Sequence, residues 1–166
     1  TSAALLVTPL TASAGGFGYD ISVTSKVSTP IDIEVRLSDD LAHRANNLPE
    51  KLKDRGSSGR LNSGFANNGY YGEKSLNQLV EKLSEKVEER FEKVGLEVAN
   101  EAPAKLVLTL EDVRPNRPTF EQLSREPGLS FQSFGNGGAE IKGELFDAAG
   151  NSLGTMEYRW FETDIR

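Results

Sequence analysis

Cysteine is absent from this chain of 166 residues, and histidine and tryptophan occur once each. Without cysteine there are no disulfides, no thiolate chemistry, no cysteine zinc site and no lipid-modified cysteine within the stretch. Whatever fold forms must be held by its core. A single histidine, His43, leaves nitrogen-based metal or acid–base chemistry short of partners. No apolar run approaches the roughly 20 residues that a spanning helix needs, so no transmembrane segment is expected. Basic tracts are missing too, and 19 Lys and Arg against 25 Asp and Glu give a net charge of −6. That balance opposes generic nucleic-acid binding, which draws its affinity from cations neutralising phosphates. Nothing matches the calcium-loop pattern D-x-[DN]-x-[DN]-G or the G-x-S-x-G nucleophile elbow. There is no internal repeat and no domain boundary.

What is present suits one globular domain. The hydrophobic fraction is 37%, with 16 glycines besides, which is close to the globular average and enough for a core at this length. Ala3 to Ala14, AALLVTPLTASA, is an uncharged apolar run ending in the small-x-small pattern Ala12-Ser13-Ala14. It reads as the back half of a secretory signal peptide. On that reading residues 1–14 are the remnant and 15–166 a single α+β domain that is periplasmic or secreted. The alternative is an edge strand or buried segment broken by Pro9.

Apolar and charged residues alternate over Ile31–Leu37, which predicts a half-buried strand, and Tyr19–Val27 is a further candidate. Ser38-Asp39-Asp40 can cap a short helix through Leu41 and Arg44, with a turn over Leu48–Lys53. The clearest element is a helix carrying Leu76, Leu79, Val80, Leu83, Val87, Phe91 and Val94 down one side. Ser75 with Gln78 fits a capping box, and Gly95 fits a left-handed C-terminal cap. The opposite face, from Glu81 to Lys93, is charged and reads as solvated. Leu96–Val98 is a brief extended link. Lys105–Val113, Ala139–Phe146 and Leu153–Phe161 alternate like strands, the last two joined by Asp147–Asn151 as a hairpin. This order predicts an α+β fold, with one long amphipathic helix packed on a mainly antiparallel sheet of about four to five strands.

Chemistry-bearing constellations are few. Asp39 and His43 stand four apart and could pair on one helical turn, as metal ligands or as a base with its orienter. No third ligand is placed, and a histidine beside surface acids is generic. Glu111-Asp112 and Glu140/Glu144 offer the paired carboxylates of glycoside hydrolysis, yet a chain this acidic always contains such pairs. Gly135–Gly138 precedes a strand-like segment rather than a helix, so it reads as a tight backbone approach to the sheet and not as a phosphate loop. No catalytic residue, cofactor or metal site is assigned.

The long loop 114–138, with three prolines, is the best candidate for a functional surface. It carries Arg114, Arg117, Phe120, Arg125, Phe131 and Phe134, residue types enriched at interface hot spots. The bland reading is that Phe120, Leu123, Leu129 and Phe131 tuck the loop against the sheet or helix. A second candidate is the Gly- and Asn-rich stretch Gly56–Gly72, where Tyr70 and Tyr71 could contact a partner or stack on sugar rings.

KLVLTLEDVRPNRPTFEQL followed by GGAEIKGELFDAAGNSLG, over about residues 105–154, resembles a family of uncharacterised bacterial envelope proteins, many of them predicted lipoproteins. The pattern is a strand ending in D-V-x-P-x-R-P, an irregular stretch, then G-G-A-x-[IV] and a hairpin turning on D-x-x-x-G. The resemblance implies an envelope location and an α+β domain, and supplies no catalytic residues. This chain lacks the lipobox cysteine near Ala12–Ala14, which favours a soluble periplasmic form. The expected function is non-catalytic binding of an envelope protein or glycan. The alternatives are a small hydrolase acting on cell-wall or other polymers, and a homo-oligomer paired through an exposed final strand.

Overall fold

In the computed structural model, the residues described are 10–14, 17–23, 30–46, 71–125, 130 and 137–162. The expected turn at Leu48–Lys53 and nearly all of Gly56–Gly72 lie outside them.

The elements run β1 (Leu10–Ala14), β2 (Phe17–Val23), β3 (Ile31–Leu37), α1 (Asp39–Asn46), α2 (Glu73–Lys93), β4 (Ala104–Arg114), α3 (Phe120–Arg125), β5 (Gly138–Phe146) and β6 (Ser152–Phe161). The class is α+β, with helices and a mixed sheet. Six strands take the order β1-β2-β6-β5-β4-β3, more than the four to five expected. The additional strand is Leu10–Ala14, which pairs antiparallel with β2.

β3 and β4 are parallel, because the chain leaves β3 through two helices before returning beside it, the connection that parallel strands require. The other pairings are antiparallel. β6 lies between β2 and β5, so the final strand is internal and offers no edge for pairing between copies. Val98 makes an isolated parallel bridge with Ile31 beside β3.

Ser38 caps α1 as its position suggests, its hydroxyl accepting from the Leu41 N–H at 3.2 Å. Helix α2 starts earlier than the capping-box reading places it. Gly72 is its N-cap, extended and without a side-chain cap, and the Leu76 N–H donates to the Gly72 carbonyl at 3.0 Å. Ser75 therefore sits inside the first turn rather than before it. At the other end Gly95 has φ +82°, with Gly95 N–H bonded to Glu92 and Leu96 N–H to Phe91. That double bond pattern is the left-handed Schellman cap.

The core joins Leu76 of α2, Leu41 and Ala45 of α1, and Leu110 and Val113 of β4, with Leu79, Val80, Leu83, Ile141 and Tyr71 packed around them. Leu76 is wholly buried. The stripe does not reach Val94, which is 61% exposed beyond the helix end. On the solvated face Glu89 pairs with Lys86 and Lys93.

β5 begins at a point of close approach. A Cβ on Gly138 would fall 2.6 Å from Phe161 Cα, and one on Gly137 would fall 2.5 Å from Asn116 Cβ. These glycines admit backbone where a side chain has no room. At the hairpin, Asp147 accepts from the N–H groups of Ala149 and Asn151 at 2.9 and 2.8 Å, and Gly150 takes φ +82°.

Candidate functional site

β4 ends in Arg114, and the chain then turns through Pro115-Asn116-Arg117-Pro118-Thr119 into α3. Pro115 and Pro118 are buried, while Asn116, Arg117 and Phe120 are exposed. Fixed φ angles at two anchored prolines stiffen the segment, and Asn116 rests directly on Gly137. The Leu123 N–H bonds to the Thr119 carbonyl at 3.0 Å, which starts α3. Phe120 is left 82% exposed at the head of that helix. The tucked reading of this residue therefore fails, although Leu123 is half-buried.

The turn faces the first two turns of α2. Between them lies an open groove of about 710 Å³, with Tyr71, Lys74 and Gln78 on one wall and Pro118, Arg117 and Phe120 on the other. Lys74, Ser75 and Gln78 reach it together because residues three and four apart share a helix face. Tyr71 is half-buried against the core, and that burial raises its phenol pKa, so it stays neutral and able to donate. Lys74 and Arg117 are the charged residues lining the groove, and no carboxylate lines it among the described residues.

Thus Tyr71, Arg117 and Phe120, from two loops far apart in sequence, meet at one place. Arg114 does not join them. Its guanidinium bonds Asp112 at 2.8 and 2.9 Å and lies 5.3 Å from the Phe161 ring centroid, which fixes it beside the sheet. Arg125 closes α3. Tyr70, Phe131 and Phe134 lie outside the described residues. Sequence reasoning missed Lys74 and assigned Ser75 and Gln78 to a cap. The available signal was their polar spacing immediately after Tyr71.

Of the remaining candidates, Glu111 and Glu144 come together at a second concavity on the sheet, and the others lie apart. His43 and Asp39 are exposed on α1, away from the groove. Glu111 pairs with Lys142, Asp112 with Arg44 and Arg114, and Glu140 with Arg159. Among the described residues the shifted carboxylates are lowered: Glu34 by its bond from Lys105, Glu89 by bonds from Lys86 and Lys93, and Asp147 by the Asn151 side chain. A general acid needs the opposite shift. No cluster of three or more His, Cys, Asp or Glu able to hold a metal occurs among the described residues. No helix among them is long and apolar enough to cross a membrane.

This second concavity, about 500 Å³, opens on the polar face of the sheet, where Asp20, Glu111, Glu144 and Glu157 surround Arg36 and Lys142. It is the acidic counterpart of the groove.

No protein-family model matches the chain, and neither does a curated protein or a solved structure.

Proposed function

We propose that this chain is a non-catalytic binding protein of the bacterial envelope, exported to the periplasm, with the groove between Tyr71–Gln78 and Pro115–Phe120 as its contact surface. One observation carries the binding reading: Tyr71, Arg117 and Phe120 line a single groove whose far wall is held by two buried prolines. Phe120 displays most of its ring to solvent. Exposed aromatic and arginine side chains on a stiff support lose little entropy on contact, which is what a hot spot requires. The envelope location is supported by the Ala3–Ala14 pattern and by the likeness over residues 105–154. A cut after Ala14 would remove β1 and leave β2–β6 as a five-stranded sheet. The hydrolase alternative would call for a pocket containing His43 or a pair of acids with raised pKa.

Affinity capture from envelope extract tests this reading. The wild-type chain should retain a partner that Phe120→Ala loses, with both proteins folded. Equal capture by the two would remove the groove as the contact surface. Fractionation with N-terminal sequencing tests the export, with a mature chain starting at Gly15 as the expected product.

A further inference from the structure

We propose that export opens the outer edge of β2, and that this edge takes an extended, uncharged segment of a partner protein as a new antiparallel strand. The proposal rests on the reading of Ala12–Ala14 as a cleavage pattern, and adds a second contact surface to the groove.

The sheet has two outer strands, β1 and β3. An outer strand presents unpaired N–H and C=O groups, and proteins guard such edges with charge, proline or a covering segment. β3 has all three. Asp32, Glu34 and Arg36 occupy its alternate positions, and Pro30 precedes it. Segment 97–99 covers its start. There the Ile31 N–H donates to the Glu97 carbonyl at 2.9 Å, and the Ala99 N–H donates to the Ile31 carbonyl at 3.1 Å.

β2 has neither the charge alternation nor the proline. Its sequence, FGYDISV, holds Asp20 as its single charged residue. Among the described residues its cover is β1, paired from Leu10 opposite Ile21 to Ala14 opposite Phe17. A cut after Ala14 removes that cover entirely. β2 itself keeps its place, because its inner edge is paired to β6 at seven positions, from Phe17 opposite Trp160 to Val23 opposite Gly154. The mature sheet therefore ends in an unguarded strand, the arrangement that strand addition uses.

The chemistry of the occupant follows from the strand already seated there. β1 reads Leu-Thr-Ala-Ser-Ala, uncharged and mostly small. Its register sets Thr11 opposite Asp20 and Ala12 opposite Tyr19. Directly opposite positions in an antiparallel pair interact, and like charges there are destabilising. An acidic residue at the Thr11 position is thus disfavoured, and small or hydroxyl residues suit the others. Pairing of two copies through their β2 edges is the weaker alternative. Full antiparallel overlap of two Phe17–Val23 strands would set Asp20 opposite Asp20.

The test uses the product purified from an exporting bacterium and the full chain made without export. Each is titrated into a fluorescein-labelled peptide carrying LTASA and read by fluorescence polarisation. N-terminal sequencing identifies the exported product, and thermal melts confirm that each protein is folded. The exported product should bind the peptide. The full chain should bind it at least about tenfold more weakly, because its own β1 holds the edge at an effective concentration of about millimolar. Successive backbone N–H groups of a strand point to opposite sides, so methylating the peptide amides in two alternate sets separates those sides. One set should weaken binding by about tenfold or more through lost ladder bonds, and the other should leave it intact. Glu at the Thr11 position should bind about two- to fivefold more weakly than Gln there, and Asp20→Asn should erase that difference. Equal binding by the two chains, or equal effects of the two methylated sets, would overturn the proposal. So would an exported product that light scattering shows to be a dimer and that takes no peptide. A product starting at Gly15 that binds no peptide sinks this proposal and leaves export standing. A product that retains Leu10–Ala14 sinks the export reading, and the opened edge goes with it.

Discussion

Arg44 on α1 places Nη2 2.6 Å from Asp112 Oδ1 on β4. The pair matters because Asp112 also receives Arg114 from its own strand, so one carboxylate, only 15% exposed, joins a helix to the end of the sheet. Removing it would leave two neighbouring, half-buried guanidiniums without the anion they share. Asp112→Ala should therefore destabilise the fold by about 1.5–3 kcal/mol, the scale of hydrogen bonds to charged groups. Arg114→Ala should cost less, since Arg44 retains its partner. Urea unfolding of the two variants checks the order.

Leu76 and Val94 mark the ends of the apolar stripe on α2. Leu76 is fully buried among Leu41, Leu110 and Val113, whereas Val94 is 61% exposed. Leu76→Ala should cost about 2–5 kcal/mol through lost burial and a residual cavity. Val94→Ala should stay within about 0.5 kcal/mol, as surface substitutions do. Chemical denaturation reads both values.

Glu101 adopts φ 58° in the turn before β4. A side chain in the left-handed region costs roughly 1–2 kcal/mol, part of which glycine returns through its larger unfolded-state entropy. Glu101→Gly is expected to stabilise the fold by up to about 1 kcal/mol, seen as a higher melting temperature.

Asp147 is held ionised at the β5–β6 turn. Donors from the Asn151 side chain, and the backbone N–H groups of Asn151 and Ala149, lower its pKa. A depressed carboxylate contributes stability above its unfolded pKa and loses that contribution as pH falls through the folded value. The melting temperature of wild type should thus exceed that of Asp147→Ala at neutral pH, and the gap should close below the usual aspartate range. A gap that persists or widens in acid would show that the carboxylate charge is not the cause. Carbon-13 titration of the carboxyl locates the step.

Much of the architecture was legible because its signals are periodic. The Leu76–Phe91 stripe, the alternation in Ile31–Leu37 and Lys105–Val113, and the Asp147–Asn151 turn each reflect local geometry. The pairing of β3 with β4 was not, since parallel neighbours joined through helices leave no short-range mark. Nor was the internal place of β6, which depends on β2 returning from the far end of the chain. The strand at Leu10–Ala14 shares its small apolar residues with a cleavage pattern, so composition alone supports both readings. Half of the candidate site was visible, since Arg117 and Phe120 stood out by type and Tyr71 by its Gly-rich context. Arg114 has the same credentials, and only its distance to Asp112 separates it from them. Lys74 was hidden within a charged helix face, where its neighbours are solvated.

The groove as contact surface is tested most directly by site-specific photocrosslinking in intact cells, with benzoylphenylalanine in place of Phe120 in one protein and of Lys142, on the acidic concavity, in another. The account predicts discrete adducts from position 120 and none from 142. Adducts from 142 with none from 120 would contradict it.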